Sequence, residues 1–243
     1  MEPVIDVRRA AARFVTTTAW SQTRHQFSFG DHYDPTNVGH GRLLVSNDDV
    51  VKAATGYDPH PHRDVEIITW VLAGSLVHKD SSGRSGIVHR GLAQRLSAGS
   101  GIVHSERNDV YPVGADQPPE PAHFVQMWLR PDISGVVPSY DHRGLALADL
   151  DRGWVPVASG HDPEAAVSLG SHGSTLWVTV VAPTVRRVLP VGALAHVYVA
   201  SGAVEVESVG DLRAGDSLQL TGEAALAVTA RADAELLVWT MAS

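Results

Sequence analysis

Two short histidine-bearing pairs, His60-Pro61-His62 and His104-Ser105-Glu106, hold the residue types best able to do chemistry in this chain. On a β-strand, residues i and i+2 point to the same face. His60 and His62 can therefore converge from one strand, and His104 and Glu106 from another. Three imidazoles and one carboxylate suit a divalent transition metal, imidazole fitting iron, copper, nickel or zinc. Taken singly, neither pair is distinctive, because 13 histidines in 243 residues produce an H-x-H about once per chain by chance. Surface or hydrogen-bonded histidines are the alternative for each pair alone. What favours the metal is context: both pairs adjoin glycine-bounded, β-rich segments on separate strands.

The rest of the chain must supply the scaffold that brings them together. With 44% hydrophobic residues the chain can bury a large core. Its 22 glycines and 14 prolines, many valines and threonines, and few runs of helix formers point to an all-β architecture. A formal net charge of −8 without a basic tract argues against direct nucleic-acid binding, which needs clustered Lys and Arg. The absence of cysteine excludes disulfides, thiolate nucleophiles and Cys-ligated metals. No apolar stretch at the start suggests a signal peptide, and no apolar run is long enough for a membrane span. The expected location is cytoplasmic.

Several strands can be placed. Residues 4–7 read as a strand followed by an Arg/Ala helical turn. Residues 24–30 read as a strand with His25, Phe27 and Phe29 on one face, 31–41 as a loop, and 42–47 as a strand stopped by a turn at Asp48-Asp49. Pro61 removes a ladder donor, which puts the first histidine pair on an edge strand or at a strand start. Residues 66–72 read as a buried strand ending at Gly74, with 75–80 returning, 81–86 turning and the small-residue loop 97–101 delivering His104. Residues 110–121 form a proline-rich loop, 122–129 a strand, and 135–170 a connector with one or two short strands. Strands resume at 176–181, 195–200, 202–207, 217–220, 225–229 and 236–240.

The chain also resembles itself. Trp70-Val71-Leu72-Ala73-Gly74-Ser75 parallels Tyr198-Val199-Ala200-Ser201-Gly202-Ala203, and the segment opening at Gly91 parallels that opening at Gly215. Two related β units explain this. Laid on those glycines, His60 and His62 correspond to Val188 and Pro190, and His104 and Glu106 to Val228 and Ala230. The second unit keeps the scaffold and lacks every candidate ligand, so only the first is expected to hold metal. The expected domains are 1–134, carrying the site, and 135–243, a connector with a ligand-free unit.

His60-Pro61-His62-Arg63, Trp70-Val71-Leu72-x-Gly74, Ser97-Ala98-Gly99-x-Gly101 and His104-Ser105-Glu106 together resemble the pirin family of bicupins. The segment Arg24-His25-x-Phe27-Ser28-Phe29-Gly30 resembles its bacterial quercetinase-like branch. The resemblance is specific up to about residue 130 and merely compatible beyond. It implies two cupin β-barrel (jelly-roll) domains in tandem and one mononuclear metal, usually iron(II), with copper, manganese, nickel or zinc as alternatives. It carries the ligand positions onto His60, His62, His104 and Glu106. Two features depart from the pattern. The general cupin glutamate position holds Ile67, with Glu66 one residue away, which assigns the carboxylate ligand to Glu106. Gly91-Leu92 replaces a common Gly-Asp turn.

For some members the resemblance implies quercetin 2,3-dioxygenase activity on a phenolic substrate with dioxygen. Four protein ligands on an octahedral ion leave two positions open for chemistry, and Glu106 is the candidate catalytic base. The rival reading is a metal-dependent regulatory protein acting through a protein partner; a third is a bicupin isomerase or hydrolase. An apolar cleft sized for a polycyclic phenol separates the first of these from the second. Glu66 is a candidate to orient a ligand imidazole, with a salt bridge as the alternative. Arg24 and His25 are candidates for the pocket border, with strand packing as the alternative for His25. His78, His89 and His123 read as surface or hydrogen-bonding groups.

Overall fold

The computed structural model describes residues 3–109 and 120–243; most of the loop expected over 110–121 lies outside them. The first half runs through β1 (Val4–Arg8), a short 3-10 turn (Ala10–Ala12), β2 (Phe14–Thr17), β3 (Ser21–His25), β4 (Leu43–Val51), β5 (Gly56–His62) and β6 (Glu66–Ala73). It continues with β7 (Ser75–Asp80), β8 (Ser85–His89), β9 (Leu92–Ser97), β10 (Ile102–Arg107), β11 (Ala122–Leu129) and β12 (Ser139–Gly144). After the helix α1 (Leu147–Arg152) come β13 (Val155–Ser159), β14 (Val167–Ser168), β15 (Ser174–Val181), β16 (Arg186–Val188) and β17 (Leu194–Ser201). The last strands are β18 (Ala203–Val206), β19 (Gly210–Arg213), β20 (Ser217–Thr221), β21 (Ala227–Ala230) and β22 (Ala234–Met241). The chain is all-β apart from α1 and that 3-10 turn, and it builds two units of the same sheet plan.

Each unit joins a seven-stranded to a four-stranded sheet, in the orders β12-β9-β6-β11-β4-β3-β2 with β5-β10-β7-β8, and β1-β20-β17-β22-β15-β13-β14 with β16-β21-β18-β19. Strand β1 pairs with β20, and β12 pairs with β9. Each large sheet is thus finished by a strand from the far side of residue 134.

Side-chain alternation explains how the sheets stack. In β6, Ile67 and Val71 enter apolar clusters inside the first barrel, while Ile68 and Trp70 join the cluster shared with Tyr198, Leu237 and Trp239. The central strands are therefore apolar on both faces, as strands buried on both sides must be. The shared cluster lies between the two large sheets. Hydrogen bonds cross the same interface: Trp70 Nε1 donates to Glu235 at 2.7 Å, Ser217 Oγ to Gln26 at 2.8 Å, and the Tyr198 hydroxyl to Asp48.

The barrels differ inside. The second is filled by Val197, Val199, Val204, Leu218, Val228, Val238 and their neighbours. The first is apolar at two ends, around Leu76 and Phe124 and around Ile67 and Leu96. Its strands also bury Thr69, His78, Gln94, His104 and Glu106.

Several expectations change. Asp48-Asp49 is not a turn; both residues are buried within β4. Each carboxylate has hydroxyl or imidazole donors, which is what permits two adjacent acids inside a strand. Strand β3 begins earlier than expected and stops at His25. Phe27 consequently packs into the inter-sheet core, while His25 stacks on Phe29 at 5.1 Å. The edge position inferred from Pro61 holds, since β5 is an outer strand of its sheet. No helix of the described residues is long and apolar enough to cross a membrane.

Candidate metal centre

Strands β5 and β10 pair antiparallel with His60 opposite His104 and His62 opposite Ile102. This register brings three imidazoles from two strands to one point. Their ring centroids are 4.6 to 4.8 Å apart, and one nitrogen from each lies within 4.8 Å of the others. The spacing is closer than unrelated surface histidines need, and the atoms are poised as a donor set. His60 Nδ1 lies 2.7 Å from the Asp58 carbonyl; donating there fixes the tautomer that leaves Nε2 as an acceptor. The Nε2 atoms of His62 and His104 are buried without a hydrogen-bond partner. Orphaned buried imidazole nitrogens are costly in a finished protein core, and a metal ion would satisfy them.

Electrostatics acts the same way. Burial, then the neighbouring His104 and His60 rings, lowers the pKa of His62 to about 4. Burial, then His60 and His78, lowers His104 to about 3. Both rings are neutral at pH 7, so no proton competes for the lone pair a cation would take.

Glu106 follows His104 on the same face of β10 and is also buried. Its ladder to β5 is irregular between His104 and Glu106, and Tyr57 stands opposite Glu106. Gln126 Nε2 donates to Glu106 Oε2, Trp128 Nε1 donates to Gln126 Oε1 at 3.0 Å, and Thr69 donates to Glu106 Oε1 at 3.3 Å. The indole sets the Gln126 amide, and the amide then holds the carboxylate. Trp128 also meets His62 edge-on at 4.8 Å. A second potential ligand group, His78, His104 and Glu106, overlaps the first through His104. Glu106 is thus close to His104, although it shares no such group with His60 and His62.

Other candidates fall elsewhere. Glu66 lies on the inter-sheet face of β6, where its Oε2 accepts the Gly170 N–H at 2.9 Å; it touches no ligand imidazole. Strand alternation does not carry from His60 and His62 to Glu66, because Asp64, with φ of +51°, turns the chain between β5 and β6, which belong to different sheets. His78 is fully buried, not a surface group, and its Nδ1 lies 3.4 Å from His104 Nδ1. His123 is hydrogen-bonded to Asp48 at 2.9 Å, while His89 is exposed. His25 borders the pocket and hydrogen-bonds Asn47 at 3.0 Å and Thr16 at 2.8 Å.

His60, His62 and Glu106 line a cavity of about 370 Å³, within the range of small-molecule sites. Trp20, Phe29 and Trp128 give it aromatic walls, and Asp49, Tyr57, His60, His62, Glu106 and Gln126 give it polar ones. In the second barrel, Val228 and Ala230 are buried in apolar packing. Val228 pairs with Arg187, and Val188 with Ala227, so the repeat alignment is offset by one residue there. Among the described residues, both potential ligand clusters belong to the first barrel.

Residues 6–129 match the family described as Pirin, and residues 166–241 match the quercetinase C-terminal cupin domain. A Mycobacterium tuberculosis protein provisionally named a quercetin 2,3-dioxygenase is 46% identical over 99% of this chain and 96% of its own length. The quercetin 2,3-dioxygenase of Escherichia coli K12 is 32% identical over 98% of this chain and 99% of its own length. The crystal structure of the bacterial pirin YhhW from E. coli in complex with nickel(II) superposes with a TM-score of 0.87 at 31% identity, covering 99% of this chain and all of that one.

Proposed function

Because this chain belongs to the pirin family of bicupins, we propose that it is a metal-dependent dioxygenase of the quercetinase type, cleaving a flavonol ring with dioxygen. The observation that carries the reading is the juxtaposition of His62 and His104, whose buried Nε2 atoms lack a hydrogen-bond partner, with an aromatic-walled cavity lined by His60 and His62. His60, His62, His104 and Glu106 would hold one divalent transition metal. Iron(II) fits this donor set, as do copper, manganese and nickel, and nickel(II) is the ion named for the E. coli relative. When bound, the metal supplies Lewis acidity at the substrate hydroxyl and the means to engage dioxygen.

The chain's own residues do the rest. Glu106 takes the proton of the substrate hydroxyl at a carboxylate oxygen. Gln126 and Thr69 hold that carboxylate in place. Trp20, Phe29 and Trp128 pack against the aromatic ligand and exclude water. Such a cavity beside the histidines favours the enzyme over a regulator with an occluded metal. The test is oxygen uptake with quercetin by protein loaded in turn with iron, copper, manganese and nickel. Stoichiometric oxygen loss with release of carbon monoxide is expected. No flavonol-dependent uptake with any of the metals would overturn the dioxygenase reading.

A further inference from the structure

Asp49 is an acid inside the same cavity that no step above uses. It lies on β4, facing Thr23 of β3 across the ladder. Its Oδ1 accepts from the Thr23 hydroxyl and, at 2.8 Å, from the Tyr57 hydroxyl. Among the described residues no hydrogen bond reaches Oδ2, and Asp49 is one of the residues that line the cavity. Only 3% of the residue is exposed, so a cavity ligand is the natural partner for the second oxygen.

We propose that Asp49 Oδ2 is a specificity-determining contact that binds a second hydroxyl of the phenolic ligand, distinct from the hydroxyl at the metal. This rests on the flavonol reading above. The chemistry of the site selects a hydroxyl over a carbonyl. Oδ1 already holds two hydroxyl donors, and a carboxylate oxygen without a donor is completed by a group that can give a proton; the donors of a flavonol are its hydroxyls, whereas a ligand carbonyl offers none. Thr23 and Tyr57 are positioning residues, because they occupy Oδ1 and so fix which oxygen faces the cavity.

The test is anaerobic equilibrium binding to the metal-loaded protein, read by quenching of tryptophan fluorescence. The probes are quercetin and 3-hydroxyflavone, which keeps the hydroxyl next to the ring carbonyl and lacks the others. The parent is expected to bind quercetin at least about tenfold more tightly, the worth of one hydrogen bond to a carboxylate. Asp49→Ala should lose most of that preference while binding 3-hydroxyflavone within about twofold of the parent. Metal content and cooperative unfolding should be retained, since the Thr23 and Tyr57 hydroxyls are 3.3 Å apart and can bond each other. Should Asp49→Ala fail to fold, Asp49→Asn preserves shape and Oδ1 acceptance, and is expected to lower the preference by a smaller factor. A parent that binds both flavonols equally, or a folded Asp49→Ala with the parent's ratio, overturns this assignment and leaves the dioxygenase reading standing. A parent that binds neither flavonol removes both.

Discussion

Glu106 carries two demands, as proposed ligand and as proposed base, and its surroundings are built to hold it. Replacing it by Gln keeps the size, removes the base and weakens the ligand. Turnover per bound metal should fall by at least about 10²-fold, the usual contribution of a general base. Steady-state kinetics normalised to measured metal content checks this; unchanged turnover per metal would show that the proton goes elsewhere. The four proposed ligand positions were legible in the sequence because alternation along a strand is a local rule. Gln126 and Trp128, which orient Glu106, were not, since they come from β11 and their inward facing depends on sheet order. The one signal available was their i, i+2 spacing with Phe124 along the apolar run of residues 122–129. His78 was missed for the same reason: nothing local shows that β7 lies against β10.

At the scale of elements, the glycine repeat has a direct physical cause. Gly74 and Gly202 close equivalent hairpins with φ of +70° and +76°, a region that costs residues with a Cβ. A Cβ on Gly202 would also stand 1.9 Å from the Asp233 carbonyl oxygen. Gly202→Ala should therefore lower the unfolding free energy by about 1–3 kcal/mol while metal retention, a property of the first barrel, is unchanged. Chemical denaturation paired with metal analysis measures both; loss of metal in the folded variant would mean that the two barrels are coupled more tightly than their separate interiors imply. Strand placement from sequence worked well where turn residues bound apolar runs, as at β7 and β11. It failed at Asp48-Asp49, whose acidic character reads as a turn. The partners that make burial tolerable, Tyr198 and His123 for Asp48 and Thr23 and Tyr57 for Asp49, are distant in sequence.

Across the whole molecule, one shared core binds two barrels of different character. The composition and repeat indicated two β units, and the family resemblance supplied their cupin form. The exchange of β1 and β12 between large sheets depends on long-range pairing that periodicity does not reveal. The interior of the second barrel is valine, leucine and alanine where the first buries polar side chains, and the proposed chemistry is assigned to the first alone. Anomalous scattering from crystals of metal-loaded protein tests that division. One ion should appear in the first barrel, about 2.0 to 2.3 Å from nitrogens of His60, His62 and His104 and a carboxylate oxygen of Glu106, and His104→Ala should lose it while remaining folded. An ion in the second barrel, or one held by His78 in place of His60 and His62, would contradict the account.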